Sequence, residues 1–444
     1  MFSAIGRILK TPDLRRKIAF TLGIIVVFRL GSFIPSPFVD FGEVQRCIEG
    51  MANADAGGIY QLVNLFSGGA LLQLSIFALG IMPYITASII TQLLRAVIPH
   101  FEALHKEGQA GQAKLTQYTR ILTLALATLQ SATLITVARS GNLFPNSALC
   151  QDVIDPSAGI IGSILIVITM TAGTVLIMWF GELITERGIG NGMSLLIFSS
   201  IVATFPDAII QVGQTNNFQV EGYLIMLVFG FAILMAVVFV EQSQRRIRVE
   251  YAKRMVGRRA YGGHNTYIPI KVNMAGVIPV IFASSLLFVP TLLSQFNSTP
   301  DAEGNLPGWV VWIQTYLASG DHPLYMGIYF LLIIGFTYFY VSITFNPVEV
   351  ADNMKKYGGF IPGIRAGRPT AEYLDYVLTR ITFPGALYLG VLSLIPLFAL
   401  SLFNANQNFP FGGASLLIIV GVGLDTVKQI DSQLQQRHYE GLLK

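Results

Sequence analysis

The chain has 444 residues, of which 53% are hydrophobic and only 12% charged, and its formal net charge is +4 at pH 7. Soluble domains average about 25% charged residues, so this composition excludes an ordinary soluble protein and indicates a polytopic membrane protein. Apolar runs of about 18 residues or more predict about ten membrane spans. These spans lie near residues 18–37, 60–94, 119–138, 159–184, 193–213, 221–241, 274–296, 325–345, 373–402 and 412–430.

The basic residues are distributed asymmetrically between the predicted loops. With the N-terminus placed inside, only Arg46 and Arg139 of the 29 Lys and Arg residues fall in outside loops, and Arg29 lies within the first span. Because Lys and Arg accumulate in cytoplasmic loops, and because the number of spans is even, both termini are predicted to be cytoplasmic. No small-residue cleavage site follows the first span, which is therefore interpreted as a retained helix rather than a signal peptide.

Three residues near the outer side allow two interpretations each. Arg29 is either a functional charge within a span or a side chain that extends to the outer interface. Cys47 and Cys150 both map to outside loops and could pair, but two unrelated loop cysteines are the favoured interpretation.

The stretch 57–98 is nearly uncharged, yet it is too interrupted to form one plain membrane helix. A short apolar piece, 59–66, is separated by a Ser-Gly-Gly join from a full-length apolar piece, 71–94, which contains Pro83. Glycine frees the backbone at the join, and proline removes a hydrogen bond within a helix. Non-helical backbone at membrane depth must face protein or water. We therefore predict a short re-entrant helix beside a full helix over 71–94, both facing the interior of a bundle.

The segment GELITERGIGNG, residues 181–192, joins the fourth and fifth predicted spans on the inside. Gly188, Gly190 and Gly192 permit a positive φ, and Asn191 tolerates the left-handed region. The pattern predicts a tight turn. A phosphate-binding loop is disfavoured because no strand precedes the glycines.

Two loops on the inside are large and basic. In the first, 242–272, apolar and basic residues alternate around 247–251 and glycines follow, which predicts a projecting hairpin. Such a surface suits an acidic partner: RNA, lipid headgroups or a protein. In the second loop, 346–372, Asn346 and Pro347 end the eighth span. Its Gly- and Pro-rich part is expected to display Phe360, Ile361 and Arg365, as a protein-docking tip or as an ordinary loop.

Reactive groups are scarce within the spans. No His, Cys, Asp and Glu set has metal-ligand spacing, and no nucleophile or nucleotide-binding motif is present. Carboxylates for an ion relay are almost absent, so an enzyme and an ion-driven transporter with a re-entrant gate are the weaker alternatives. No cofactor is expected. Gln92, Gln130 and Asn273 lie in or at the edge of spans, where they form either a separable polar seam or fixed structural contacts.

Several motifs occur together in order: FSGGAL, GIMPYITASI, GELITERGIGNG, KVNMAGVIP and PGIR. From the first span to the tenth, the chain resembles the SecY/Sec61 alpha family of protein-conducting channels. The resemblance implies an all-α polytopic membrane fold of about ten transmembrane helices in two pseudo-symmetric five-helix halves, 1–213 and 214–444. The halves surround a central hourglass pore with a short re-entrant plug helix at about 59–69.

The resemblance also implies the activity. The chain is expected to be a passive channel of the bacterial inner membrane, not an enzyme, that translocates unfolded secretory polypeptides and releases hydrophobic segments laterally into lipid. Its implied partners are the small subunits SecE and SecG, the motor ATPase SecA, the ribosome, signal peptides, unfolded secretory chains and anionic lipids.

Four groups of residues are assigned by matching these motifs. The plug group comprises Ile59, Leu62, Leu65, Phe66, Ser67, Gly68 and Gly69. The pore ring comprises Ile81, Ile85, Met193, Ile197, Ile281 and Ile418. The lateral gate, between spans 2–3 and 7–8, includes Gln92, Gln130 and Asn273. Partner docking is assigned to Arg258, Arg259, Arg365 and Arg368. Met193 replaces the isoleucine common in the family, and its flexible thioether should fill a similar volume.

Overall fold

The computed structural model describes residues 11–51, 69–71, 73–139, 153–155, 159–215, 220–251, 254–256, 259–261, 266–296, 307–318, 322–403 and 413–440. Within these residues, the helices before residue 216 are α1 (Pro12–Ser32), α2 (Phe41–Met51), α3 (Met82–Val97), α4 (Pro99–Lys106), α5 (Gln109–Arg139), α6 (Gly159–Arg187) and α7 (Gly192–Thr215). Those that follow are α8 (Val220–Gln242), α9 (Ile278–Phe296), α10 (Gly308–Ile313), a π-helix (Gln314–Ala318), α11 (Pro323–Thr344), α12 (Pro347–Lys356), α13 (Arg368–Phe403) and α14 (Gly413–Glu440).

Each predicted span overlaps one of the long helices: α1, α3, α5 to α9, α11, α13 and α14. Among the described residues, four helical segments are long and apolar enough to cross a membrane: Gln109–Arg139, Gly159–Arg187, Pro323–Lys356 and Arg368–Ile395. Large apolar side chains on the outer faces are exposed, including Ile161 at 78%, Phe239 at 75% and Leu331 at 68%. Such an extensive apolar surface is unfavourable in water but favourable in contact with lipid. The chain is an all-α polytopic membrane protein.

The full helix predicted over 71–94 is wrong in its first half. α3 begins only at Met82, and residues 73–81 form successive turns. Pro83 lies in the first turn of α3, where a missing N–H breaks no helical hydrogen bond. The turns contain Leu74 and Gly80 at positive φ, 45° and 55°. This non-helical backbone is buried against protein and bonds to the chain after α1, since Ile76 N donates to Ile34 O at 3.0 Å.

The helices pack in two groups that follow one another in sequence. In the first group α5 contacts α3 and α6, α6 contacts α7, and α1 contacts α6 and α7. In the second group α11 contacts α9 and α13, and α14 contacts α8 and α13. The groups meet where α7 packs on α14 and where α9 packs on α3 and α5.

The two basic loops form sheet structure, as the alternating pattern predicted for the first of them. Strand β1 (Gln244–Tyr251) pairs antiparallel with β4 (Thr266–Lys271), and β2 (Arg254–Val256) pairs with β3 (Arg259–Tyr261) as a separate hairpin. The second loop contributes β5 (Gly359–Phe360), which also pairs with β1 and gives the strand order β4-β1-β5. The two loops are therefore joined in one sheet.

Cys47, on α2, is disulfide-bonded and 2% exposed. The chain has one other cysteine, Cys150, which lies outside the described residues. The favoured interpretation of two unrelated cysteines is therefore wrong. The chain just before α2 contacts residue 153, because Asp40 N donates to Val153 O at 3.1 Å.

Candidate functional site

An apolar cluster joins helices from both packing groups. It contains Ile81 at the start of α3, Ile197 on α7 and Ile418 on α14, which are 3%, 7% and 3% exposed. Ile85 and Met193 pack against it as half-buried side chains. Five of the six predicted ring residues therefore lie in one cluster, and these come from three different helices.

The sixth predicted ring residue is placed differently. Ile281 on α9 is buried, with 6% of its surface exposed, but it is not a member of this cluster. Val277, the residue directly before the same helix, does pack against the cluster. The start of α9 thus contacts the cluster through a residue that sequence reasoning did not select.

The helix starts determine where the ring side chains lie. Ile85 N donates to Ile81 O at 3.1 Å, so the two side chains are one helical turn apart on the same face. At the start of α7, the side chain of Asn191 accepts from Met193 N at 3.1 Å and from Ser194 N at 3.4 Å. Asn191 is therefore the N-cap of α7. Asn191 tolerates the left-handed region but does not adopt it, because this residue does not have a positive φ.

Two of the three glycines said to permit a positive φ, Gly188 and Gly192, do not adopt one. Only Gly190 has a positive φ, 86°. Gly192 is required by close packing, because a Cβ at that position would lie 1.9 Å from the carbonyl oxygen of Gly181. Gly181 in turn leaves space for Met193, whose Sδ would be 2.3 Å from a Cβ on residue 181. This segment brings α6 and α7 together and places Met193 against the cluster.

The predicted plug lies almost entirely outside the described residues. Ile59, Leu62, Leu65, Phe66, Ser67 and Gly68 are not described, and Gly69 has a φ of 90°. The segment that follows Gly69 is buried, with Leu71 at 4% and Phe77 at 5% exposure. Phe77 stacks on Phe28 of α1, with ring centroids 5.8 Å apart.

A polar cavity of about 460 Å³ opens between the two packing groups. Its walls are formed by α3, by α4 and the start of α5, and by the end of α11. Gln92 lines it together with Thr91, Arg95, Thr119 and Tyr340. Thr119 donates to Thr91 at 3.1 Å across the α3–α5 contact, whereas α11 forms the opposite wall. The cavity therefore lies along a boundary between the two groups.

The other two predicted gate residues do not line this cavity. Gln130 is half-buried on α5. Asn273 is 4% exposed and donates to Glu241 Oε1, at the end of α8, at 2.6 Å. The side-chain oxygen of Asn273 accepts from Gly276 N at 3.0 Å, which shapes the turn before α9. Asn273 thus connects the end of α8 to the start of α9.

An ion pair missed by sequence reasoning connects α5 to α6. Arg120 Nε and Nη2 donate to the two carboxylate oxygens of Glu182 at 2.8 and 2.7 Å. Bidentate pairs of this kind fix both position and orientation. The only signal in the sequence was that Glu182 and Arg120 are charges near the ends of apolar runs.

The sheet formed by the two loops has one buried and one basic face. Ile247 and Val249 are 5% and 2% exposed and pack in a cluster with Met354 and Leu374. On the other face of β1, the guanidinium of Arg246 lies 4.9 Å from the ring centroid of Tyr267. Alternation along the strand thus separates an apolar side from a cationic side.

The predicted docking residues lie on these loops. Arg365 and Arg368 are exposed, and Arg368 pairs with Glu372 at 3.0 Å. Arg259 belongs to β3, whereas Arg258 is outside the described residues. The expected exposed Phe360–Ile361 pair is half wrong. Phe360 is 38% exposed, but Ile361 is 5% exposed because it packs in the cluster beneath the sheet.

Comparison with known proteins gives consistent matches. The SecY family model matches residues 75–427. The protein translocase subunit SecY of Streptomyces griseus is 60% identical over 448 residues, covering 100% of both chains. The fold is similar to a solved protein-conducting channel, with a TM-score of 0.60 at 18% identity, covering 93% of this chain and 91% of that one. Sec61 in a canine ribosome–channel complex from the endoplasmic reticulum gives a TM-score of 0.59 at 18% identity, with coverage of 93% and 91%.

Proposed function

Because the chain belongs to the SecY family, we propose that it is a protein-conducting channel and not an enzyme. It moves unfolded secretory polypeptides across a membrane and releases hydrophobic segments laterally into the bilayer. The observation that carries this proposal is the apolar cluster in which Ile81, Ile197 and Ile418 meet from three helices. Aliphatic side chains exclude water from a narrow opening and form no hydrogen bonds that would retain a passing chain.

The ring of Ile81, Ile85, Met193, Ile197, Ile281 and Ile418 is the constriction of this channel, and residues 59–69 correspond to the plug. Five of these residues already share one cluster. For a polypeptide to pass, their contacts must be replaced by contacts with the moving chain. Met193 suits this exchange because an unbranched thioether adapts to changing neighbours.

The halves 1–213 and 214–444 separate along the polar cavity to open the lateral gate. Gln92 on α3 lines this cavity, and Gln130 lies further along α5. Polar contacts between helices in a membrane contribute about 0.6–2 kcal/mol each, so an incoming hydrophobic helix can displace them. Asn273 has a different role. Its hydrogen bond to Glu241 makes the start of α9 move together with the end of α8.

The basic sheet is the docking surface for the partner that supplies energy, either the ribosome or the ATPase SecA. Arg259, Arg365 and Arg368 lie on its loops, and Arg258 precedes Arg259 in the sequence. Arginine binds RNA phosphates and protein carboxylates through the same planar fork. A ribosome-bound channel is among the solved structures of similar fold, which supports the first of these partners.

The chain is a multi-pass protein of the bacterial inner membrane, with both termini in the cytoplasm and with SecE and SecG as small membrane partners. The Lys and Arg distribution supports this orientation. The disulfide of Cys47 also supports it, since disulfides persist on the oxidising side of a membrane and α2 is placed outside. Anionic lipids are suited to contact the basic loops on the inside.

Site-specific photocrosslinking tests the proposed path. A photoreactive amino acid replaces Ile85, Ile197 or Ile281 in separate variants, and a secretory chain is stalled during translocation in membranes. Each of the three variants should crosslink to the stalled chain. Val202 is the matched control, because it lies on α7 with Ile197 but is 41% exposed and does not belong to the cluster.

Crosslinks from Val202 and none from the three ring positions, with the chain still engaged, would place the path elsewhere. The ring residues would then be ordinary packing residues. Crosslinks from Ile85 and Ile197 without Ile281 would restrict the constriction to the cluster in which the first two lie.

A further inference from the structure

The connection between α9 and α11 contains a short helical segment with two exposed tryptophans. α10 runs directly into the π-helix, and Trp309, Val311 and Trp312 are 47%, 45% and 47% exposed. Residues 307–318 contain no Asp, Glu, Lys or Arg. We call the surface formed by Trp309, Val311 and Trp312 the tryptophan face.

The opposite side of the segment is fixed to the protein. Val310 is 0% exposed, and Leu317 is 7% exposed in a cluster with Leu287 of α9 and Met326 of α11. With about 100° of rotation per residue in α10, Trp309, Val311 and Trp312 all lie about 100° or more around the helix axis from the buried Val310. The direction of the face is therefore set by packing.

Aromatic contacts also hold the segment to the start of α11. Trp312 lies 5.5 Å from Tyr316, and Tyr316 lies 4.8 Å from the ring of His322, as measured between ring centroids. His322 Nδ1 accepts from Leu324 N at 3.1 Å and so caps α11. The tryptophan face is thereby held at a fixed position relative to the start of α11, a membrane-spanning helix.

The tryptophan face lies at one end of the spanning helices α9 and α11. α9 starts next to β4 and ends at Phe296, and α11 starts after the segment and ends at Thr344, near the sheet. The segment therefore lies at the end of both helices opposite the sheet. The two helices also carry exposed apolar side chains, Leu286 at 49% and Leu324 at 40% exposure.

We propose that the tryptophan face is a lipid anchor, which inserts into the headgroup interface of the bilayer on the side opposite the sheet. Trp is the residue type best suited to this zone, because its ring is apolar and its indole N–H hydrogen-bonds to headgroups or water. An uncharged segment with one packed side and one aromatic side lies in the plane of the interface. The anchor fixes the end of α9 and the start of α11 relative to the membrane surface.

Tryptophan fluorescence tests this directly, because the chain contains only three tryptophans, the third being Trp179 on α6. The Trp179→Phe variant, reconstituted into phosphatidylethanolamine–phosphatidylglycerol vesicles, reports on the tryptophan face alone. The lipids are brominated either near the carbonyl end or near the terminus of the acyl chains. Bromine near the carbonyl end should quench the emission more strongly than bromine near the terminus. Aqueous iodide should quench it several-fold less than it quenches free tryptophan.

The double variant Trp309→Phe/Trp312→Phe is the matched control, because it retains only Trp179. Subtracting its emission from that of the wild type gives the same signal if Trp179→Phe accumulates poorly. Strong quenching by iodide with none by brominated lipid would overturn the proposal and place the face in water. Protection from both quenchers would also overturn it, because a protein surface would then cover the tryptophans.

Discussion

The contact between Gly192 and Gly181 gives the sharpest prediction about the ring. In Gly192→Ala the new Cβ would lie 1.9 Å from the carbonyl oxygen of Gly181 and 2.9 Å from Cβ of Ile184. The backbones of α6 and α7 must therefore separate by roughly 1.6 Å to reach an ordinary contact distance of about 3.5 Å. The neighbouring bond from Gly192 N to Thr185 Oγ1, 2.9 Å long, would be stretched by the same movement.

The expected destabilisation is about 3 kcal/mol, the upper part of the usual range for overpacking, because neither clashing group is the end of a flexible side chain. Because Met193 follows residue 192 directly, the same displacement should move it away from the cluster and weaken the seal. Thermal unfolding in detergent and ion efflux from proteoliposomes measure the two effects. A lower melting temperature together with faster efflux is the expected result.

Gly327→Ala is the matched control. This glycine lies within α11 and a Cβ there would meet nothing within 4 Å, so alanine should be neutral or slightly stabilising because it favours helix. If Gly192→Ala had the same melting temperature and the same ion efflux as Gly327→Ala, the close approach of α6 and α7 would be disproved. The account of how Met193 is positioned would then be disproved with it.

Three further perturbations address the ring, the sheet and the disulfide. Ile85→Ser should increase ion efflux and relax signal-sequence selection while the protein still accumulates, whereas Val202→Ser, outside the cluster, should leave efflux unchanged; failure of Ile85→Ser to accumulate would make Ile85 a packing residue. Arg365→Glu should reduce partner-driven translocation in vesicles at least about tenfold, since truncating or reversing a docking Arg costs about 2 kcal/mol or more. The resting seal against ions should stay intact. An equal loss of translocation in Lys356→Glu would show that only the total charge of the loop matters. Cys47→Ala should lower stability by about 2–4 kcal/mol, and a reductant should lower the melting temperature of the wild type but not of this variant; equal sensitivity of both would contradict a stabilising disulfide.

The sequence predicted the spans well because they depend on local patterns. Apolar runs identify helices in a membrane whatever their partners. Ile81 and Ile197 were assigned through motifs that resemble a known family, since single isoleucines on apolar helices are otherwise ordinary packing residues. Their meeting in one cluster depends on how α3, α7 and α14 cross, which no local pattern encodes.

The errors arose where tertiary contacts decide conformation. Residues 73–81 are apolar enough for a helix, but bonds such as Ile76 N to Ile34 O hold them as turns. Gly192 permits a positive φ but does not adopt one, and the close approach of Gly181 is the actual constraint. Ile361 was expected at an exposed tip but is buried. The cluster that buries it is assembled from distant parts of the chain, so local sequence could not reveal it.

The pairing of β5 with β1 also orders events during synthesis. β1 follows α8, but its partner β5 is made only after α9 and α11 have been translated. Until then Glu250 and Tyr251 at the end of β1 have no β5 partner, and unpaired strand ends are sites of mispairing. The sheet is thus completed only late in translation, when α13 and α14 remain to be made. A nascent chain that stops before Phe360 would have its first basic loop without the strand that joins it to the second.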